Sequence, residues 1–127
     1  MTKKAIATEK APAALGPYSQ AISVNGTVYV SGQLPIDPAT GEFATTDIQG
    51  QTRQSLTNIQ AILAEAGLDM SNVVKTTVLL DNIDDFAAMN EVYAEFFTGV
   101  TPARAAFEVA TVPKGALVEI EAVAVEG

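Results

Sequence analysis

The chain has 127 residues, of which 48% are hydrophobic and 17% are charged; this length and balance predict a single globular domain over residues 1–127. It contains no Cys and no His, which excludes disulfide bonds, thiolate nucleophiles, Ser-His-Asp triads and the usual zinc sites. Its 15 acidic and 7 basic residues give a net charge of -8, the wrong sign for binding a nucleic-acid backbone. Any catalysis must therefore use carboxylates, hydroxyls, amides and a few Lys or Arg side chains.

Nothing in the sequence predicts contact with a membrane. The longest apolar runs are far shorter than the ~18 residues of a membrane-spanning segment. No apolar run follows Lys3 and Lys4, as it would in a secretory signal. We therefore expect an acidic cytoplasmic protein that binds neither nucleic acid nor membranes.

The first part of the chain has the pattern of short β-strands. Residues 27–31 alternate between polar and apolar types, which predicts a strand with one buried face. Asn25-Gly26 precedes this strand and follows the apolar stretch 21–24, a pattern typical of a type I′ hairpin. Residues 4–8 are predicted to add another short strand.

A helix is predicted after a turn-rich loop at residues 33–46. It spans about 47–66, because apolar residues recur there at helical spacing. Asp47 can cap its start and Gly67 can end it. The other predicted elements are a helix from Asp84 or Asp85 to Gly99 and strands at residues 73–80, 103–109 and 117–125.

This order of strands and helices predicts an α+β fold in which two helices cover one face of a mixed sheet. Strand 73–80 carries apolar residues on both faces. Leu117, Val123 and Val125 add apolar side chains to the face away from the helices. An apolar sheet face without helices indicates burial by partner subunits.

Two charged side chains on the last two strands form a candidate site. We expect these strands to form an antiparallel hairpin in which Phe107 pairs with Val118, so that Ala105 and Phe107 face the core. Arg104 and Glu119 would then be diagonal neighbours on the other face, roughly 7–8 Å apart. A guanidinium can hold a carboxylate by two hydrogen bonds, and a carboxylate can position or deprotonate a water molecule. The alternative is an exposed ion-pair ladder of little energetic value.

A series of short motifs runs in order from about Ala5 to Val125. The motifs are Gly16-Pro17-Tyr18-Ser19-Gln20, Ser31-Gly32-Gln33, Lys75-Thr76-Thr77-Val78, Pro102-Ala103-Arg104, Glu108-Val109, Val112-Pro113 and Glu119-Ile120-Glu121-Ala122. Together they resemble the Rid (YjgF) family of reactive-intermediate deaminases, and within it the RidA subgroup, which keeps the arginine. The resemblance covers nearly the whole chain.

This resemblance implies a compact α+β subunit with a chorismate-mutase-like fold, assembled as a homotrimer with its clefts between subunits. It implies an enzyme that hydrolyses 2-imino acids, such as 2-iminopropanoate and 2-iminobutanoate, to 2-keto acids and ammonia. These imines tautomerise from enamines that pyridoxal-phosphate-dependent Ser/Thr dehydratases release. The family uses neither cofactor nor metal for this reaction, which agrees with a chain that lacks His and Cys.

The resemblance also implies roles for individual residues. Arg104 would hold the substrate carboxylate, and Glu119 would orient or activate the water that attacks the imine carbon. The remaining implied cleft residues are Tyr18, Asn90, Ser31, the carbonyl of Gly32 and the amide of Ala106. RidA members often have Cys where this chain has Ala106. We expect activity nonetheless, since backbone contacts survive that change and water attack needs no thiol.

Other interpretations of these residues and of the function stay open. Tyr18 could cap the sheet edge, Asn90 could tether a buried loop, and the Ser31 hydroxyl could satisfy backbone groups at a strand end. The chain could instead be a non-catalytic module that binds or senses 2-keto acids, although a sensor gains nothing from a second negative charge at Glu119. A ribonuclease or translation inhibitor is disfavoured by the charge of -8 and the lack of His. A chaperone-like role through exposed apolar surface is a further alternative.

Overall fold

Within residues 2–127, the part of the chain that the computed structural model describes, two α-helices lie on one face of a six-stranded sheet. The strands are β1 (Lys4–Ile6), β2 (Ala21–Val24), β3 (Thr27–Gln33), β4 (Ile36–Asp37), β5 (Glu42–Phe43), β6 (Val73–Leu80), β7 (Ala103–Glu108) and β8 (Val118–Val125). The helices are α1 (Ile48–Glu65) and α2 (Phe86–Phe96), with short 3-10 turns at Met70–Asn72, Ile83–Asp85 and Pro113–Gly115. The predicted α+β architecture is confirmed.

The sheet is mixed, with strand order β1-β2-β3-β8-β6-β7. Only β6 and β7 run parallel, and every other neighbouring pair in this sheet is antiparallel. The two remaining strands, β4 and β5, form a separate ribbon inside the segment predicted as loop. Strands of two residues are too short to show the alternation by which strands are recognised in a sequence.

The predicted turns and caps form for the expected reasons. Asn25 and Gly26 both have positive φ, at 50° and 77°, as a type I′ turn between β2 and β3 requires. Asp47 accepts a hydrogen bond from the backbone N–H of Gly50 at 2.9 Å and so caps α1. Gly67, with φ of 78°, follows the helix end in the left-handed region.

The core lies between α1 and the central strands. Leu56, Ile59 and Ile62 on α1 are fully buried, as are Val78 on β6 and Ile120 on β8. Burying a side chain of this size contributes about 1.5–3 kcal/mol relative to leaving it exposed. The helices and the inward side chains of the central strands therefore account for most of the stability of the subunit.

The predicted hairpin between β7 and β8 is wrong. β7 pairs in parallel with β6, with Arg104 opposite Thr76, while β8 pairs with the other edge of β6 and with β3. The reason lies in the connections, because α2 links β6 to β7 as the crossover that parallel neighbours require. The charged residues of β7 are better accommodated at an exposed sheet edge than in the centre.

The predicted orientation of β7 is also wrong. Arg104 lies opposite Thr76 and Ala106 opposite Val78, whose side chains are buried on the helix side of the sheet. Ala105 and Phe107 therefore point to the helix-free side, where 47% of Phe107 is exposed. For β8 the predicted orientation is confirmed, since Val118 and Ile120 are fully buried on the helix side.

The helix-free side of the sheet, called the open face from here on, is largely apolar. Tyr29 on β3 and Phe107 on β7 are about half exposed there, at 52% and 47%. The other apolar side chains of the open face are Ile22, Leu79, Ala105, Val123 and Val125. Thr77, Glu119 and Glu121 lie on the same face. Several large apolar side chains exposed on one sheet face are unusual for a monomer.

Candidate active site

The predicted site residues fall into two groups on opposite faces of the sheet. The arginine group consists of Arg104 and Ala106 on edge strand β7 with Asn90 on α2. The carboxylate group consists of Glu119 on β8, Ser31 and Gly32 on β3, and Tyr18 in the segment before β2, all of which line one cleft. The two groups have different chemistry and are described separately.

Arg104 is held against one face of α2. Its Nη1 donates a hydrogen bond of 2.6 Å to the Asn90 side-chain oxygen. Its guanidinium carbon lies over two rings, 4.8 Å from the centroid of Tyr93 and 5.3 Å from that of Phe86. In residues 2–127 no carboxylate lies within salt-bridge distance of Arg104, and the one ion pair formed there joins Arg53 to Glu95. The Arg104 charge is therefore fixed in place and free to bind an anion.

Ala106 belongs to the arginine group through its backbone. It lies two residues beyond Arg104 on the same side of β7, partly buried against the core. A thiol at this position would face the packed helix side of the sheet, away from the cleft that contains Glu119. The position of Ala106 is consistent with a role for its backbone alone.

Glu119 points to the open face and is half-buried. Burial raises the pKa of its carboxyl, and the negative charge of Glu121 raises it further. Gly32 lies directly beside it, because a Cβ added at Gly32 would be 2.7 Å from Oε2 of Glu119. A side chain at residue 32 would therefore force the Glu119 carboxylate to shift from this position.

Tyr18 and Ser31 complete the walls of a cleft of about 730 Å³. Tyr18 is 53% exposed and its ring is available to a ligand. The Ser31 hydroxyl donates to the carbonyl of Ser19 at 2.6 Å, while its backbone N–H donates to Gln20 at 2.9 Å. The Ser31 hydroxyl thus satisfies a backbone group at the strand end, as the alternative interpretation of this residue predicted. It also anchors the segment that carries Tyr18.

The two groups are far apart within one subunit. Arg104 lies opposite Thr76, and Glu119 lies opposite Leu79 on the other side of β6. The two residues are separated by two strand spacings of ~4.8 Å across the sheet and by three residues of ~3.3 Å along it, so their Cα atoms are roughly 14 Å apart. Their side chains point to opposite faces. The prediction that Arg104 and Glu119 are diagonal neighbours is wrong. One subunit alone cannot hold a small molecule between them.

Sequence reasoning missed three residues around the two groups. Phe86 and Tyr93 on α2 were not among the predicted site residues, yet both rings contact Arg104. Phe86 lies four residues before Asn90 and Tyr93 lies three residues after it, so all three side chains are on one helix face. This spacing could have identified the two rings from the sequence. Lys114 lines the cleft with Glu119 from a turn where its φ is 60°, and nothing in its sequence context indicates this.

Among residues 2–127, no three Asp or Glu side chains come together as a possible metal site. None of the helices in residues 2–127 is long and apolar enough to cross a membrane.

Comparison with known proteins identifies the family. The sequence profile described as Endoribonuclease L-PSP matches residues 8–126. The 2-iminobutanoate/2-iminopropanoate deaminase of Capra hircus is 54% identical over 127 residues, which are 100% of this chain and 93% of that protein. The crystal structure of the Rid-family protein YyfA from Yersinia pestis, itself of unknown function, is 50% identical with a TM-score of 0.96, covering 98% of this chain and 100% of the other. The E. coli protein TdcF, solved with bound serine, is 43% identical with a TM-score of 0.94, covering 98% and 99%.

These likenesses extend over almost the full length of both partners in each comparison. They also include the motif-bearing segments on both faces of the sheet, from the first strands to β8. The chain therefore belongs to the endoribonuclease L-PSP family, which is the Rid (YjgF) family that its motifs resemble.

Proposed function

We propose that this protein hydrolyses reactive 2-imino acids, with 2-iminopropanoate and 2-iminobutanoate as its substrates, to 2-keto acids and ammonia. The observation that carries the proposal is Arg104, an oriented guanidinium with no carboxylate partner in the described part of the chain. Such a group is suited to the carboxylate that every 2-imino acid contains. The name of the Capra hircus relative, 54% identical over the whole chain, supports the same reaction. The serine bound to TdcF supports recognition of a small amino-acid-like carboxylate.

The reaction follows from the chemistry of the two groups. Arg104 binds the substrate carboxylate and fixes the imine carbon. The substrate reacts with its imine nitrogen protonated. Glu119 accepts a proton from water as the water oxygen bonds to that carbon and the C=N electron pair moves to nitrogen, which gives a neutral carbinolamine. The protonated Glu119 then returns its proton to the nitrogen, the C–N bond breaks, and the hydroxyl proton passes to the departing ammonia, which leaves as ammonium as the carbonyl forms. A carboxylate whose pKa is raised by burial is a stronger base for the first step than an exposed one.

The complete site, in this proposal, is formed between copies of the chain in a homotrimer. The arginine group and the carboxylate group lie on opposite faces, so the substrate can touch both only if one copy supplies Arg104 and its neighbour supplies Glu119. The apolar open face, with Tyr29 and Phe107 half exposed, supports a second copy as the partner that covers it. Rotational symmetry closes such a head-to-tail contact into a ring in which every copy contributes both groups.

A coupled assay tests the function. A pyridoxal-phosphate-dependent threonine dehydratase supplies 2-iminobutanoate, and the appearance of 2-ketobutanoate is followed with and without this protein. We expect the protein to accelerate the release of keto acid above the spontaneous rate, and the Arg104→Ala variant to give only the spontaneous rate. Keto-acid release that is the same with and without the protein would contradict the proposal and would favour a non-catalytic carboxylate-binding module.

RNA cleavage is the second function that a specific observation raises, because the family description reads Endoribonuclease L-PSP. The charge of -8 repels phosphates and the chain has no His for acid–base chemistry. An assay with labelled single-stranded RNA separates the two activities, and we expect no cleavage. Location in the cytoplasm stays a prediction from the sequence, which cell fractionation tests.

A further inference from the structure

The guanidinium of Arg104 lies over two aromatic rings. Its central carbon lies 4.8 Å from the ring centroid of Tyr93 and 5.3 Å from that of Phe86. Both distances are within the ~6 Å over which a cation is attracted to a ring face. Asn90, on the same helix face, fixes one nitrogen by the hydrogen bond of 2.6 Å. The two rings and the amide together leave few positions open to the guanidinium.

The Tyr93 ring is itself held rigidly. Its hydroxyl and the Thr76 hydroxyl are 2.6 Å apart in a buried hydrogen bond, with Tyr93 only 7% and Thr76 only 1% exposed. Thr76 is the residue directly opposite Arg104 in the parallel β6–β7 ladder. Phe97 packs on the ring of Tyr93, with centroids 4.6 Å apart. The strand that positions the Arg104 backbone therefore also positions the ring under its side chain.

Burial raises the pKa of the Tyr93 hydroxyl, which keeps that hydroxyl protonated throughout the neutral range. A neutral phenol can keep its hydrogen bond to Thr76 at every pH at which the protein is expected to work.

We propose that Tyr93 is a positioning residue for Arg104, and that Thr76 orients the Tyr93 ring. The inference rests on the proposed function, in which Arg104 binds the substrate carboxylate. A long flexible side chain binds a carboxylate poorly unless its planar donors are already directed at the ligand. The ring holds the guanidinium by its charge and leaves the nitrogens that do not contact Asn90 available to the substrate.

The kinetic test compares three variants in the coupled assay. Tyr93→Leu removes the ring face, and we expect KM to rise about 3- to 30-fold with a smaller change in kcat, the range expected for losing one cation–π contact. Tyr93→Phe keeps the ring face but loses the hydroxyl that Thr76 orients, so its KM should lie between the values of wild type and Tyr93→Leu. Phe97→Leu is the matched control, because it removes an aromatic ring from the same buried cluster without a contact to Arg104. It should raise KM clearly less than Tyr93→Leu does, because the Tyr93 ring face and its hydrogen bond to Thr76 remain.

Equal KM values for wild type and Tyr93→Leu would overturn the inference, and so would an equal rise of KM in Phe97→Leu. The first result would mean that the ring does nothing for Arg104. The second would mean that any loss of packing in this cluster has the same effect.

A spectroscopic test needs no enzymatic activity. The chain has two arginines, Arg53 and Arg104, so side-chain NMR signals of arginine are easily assigned, and exposed Arg53 serves as the internal reference. We expect the Arg104 side-chain protons of the wild-type protein to be shifted upfield by the ring currents of Tyr93 and Phe86. Signals of Arg104 that coincide with those of Arg53 would overturn the inference.

The two tests also separate failure of the inference from failure of the proposed function. Absence of imine hydrolysis would contradict the proposed function. In that case the ring-current shift in wild type, and its decrease in Tyr93→Leu, would still decide whether Tyr93 holds Arg104.

Discussion

The two faces of the sheet are formed by the same strands, but one is covered by helices and the other is not. On the helix side, Val78 and Ile120 are fully buried beneath α1 and α2, and the packing there is complete within one chain. On the open face, Tyr29 and Phe107 are about half exposed and no helix covers them. One face therefore stabilises the subunit, and the other is left for contacts that the subunit cannot make with itself.

The site residues follow the same division. The arginine group lies on the helix side at the sheet edge, where α2 supplies Asn90 and two rings to hold Arg104. The carboxylate group lies on the open face, where Gly32 makes room for Glu119. In the proposed function, each subunit therefore carries two incomplete halves of a site, and variants in either half test this proposal.

The largest expected effect is on the arginine side. Arg104→Ala removes a bidentate contact, and at about 1.5–3 kcal/mol for each charge-assisted hydrogen bond we expect kcat/KM to fall between about 150-fold and about 25,000-fold. Arg104→Lys should recover little, because an ammonium lacks the planar pair of donors. Steady-state kinetics in the coupled assay measures both. Arg53→Ala is the matched control, since it removes the other arginine, whose ion pair with Glu95 is exposed. Loss of activity in Arg53→Ala, or full activity in Arg104→Ala, would show that the site is assigned to the wrong arginine.

On the carboxylate side, Glu119→Gln should lower kcat about 100-fold while KM changes little. An amide cannot accept the proton from water, whereas the contact between Arg104 and the substrate carboxylate is untouched. Binding of 2-ketobutanoate, measured by calorimetry, should be as tight as in wild type or tighter. A wild-type kcat in this variant would exclude Glu119 as the base.

A smaller effect should follow from closing the space beside the carboxylate. Gly32→Ala places a methyl group 2.7 Å from where Oε2 of Glu119 lies, so the carboxylate must move, and we expect kcat to fall about 10-fold. The same substitution in a Glu119→Gln background should have little further effect on kcat, because the base has already been lost. If the two losses multiply instead, Gly32 acts independently of Glu119.

The smallest expected effect is on stability and its pH dependence. The raised pKa means that the folded state holds the Glu119 proton more tightly than the unfolded state, whose pKa is near the ordinary 4.5. The stabilisation from this carboxyl is therefore complete below that pH and is lost as the pH rises through the folded-state pKa. Glu119→Gln should raise Tm by a few degrees at pH 7 and by less at pH 4. Thermal denaturation by circular dichroism measures this, and a variant that is less stable than wild type at pH 7 would contradict it.

Some features of the fold could be predicted from the sequence alone, and others could not. The turn at Asn25-Gly26, the cap at Asp47 and the end at Gly67 were predictable because each depends on local chemistry alone. The orientation of β7 was not predictable in the same way. The alternation of residue types along β7 shows that the strand has two different faces. Because the apolar residue Phe107 on this edge strand points to the open face, apolar character alone does not identify the face that packs on the core.

The candidate site shows the same limit. Its residues were identified from motif resemblance, and the structure gives steric or hydrogen-bonding reasons for Gly32 and Asn90. The distance between Arg104 and Glu119 was wrong because it was inferred from a hairpin that does not form. Strand order in a sheet depends on long-range pairing, which a local pattern does not contain.

The central claim is that each site takes Arg104 from one copy and Glu119 from another, and co-assembly of two inactive variants tests it most directly. Arg104→Ala and Glu119→Gln chains, carrying different affinity tags, are co-expressed, and trimers that contain both tags are isolated and assayed. In every ring of three that contains both variants, one of the three interfaces joins an intact Arg104 to an intact Glu119, so the isolated mixed trimers should regain about a third of wild-type activity. Each variant alone should keep no more than about 1% of wild-type activity under the same conditions. Mixed assemblies of verified composition that remain as inactive as their parents would contradict a site shared between subunits.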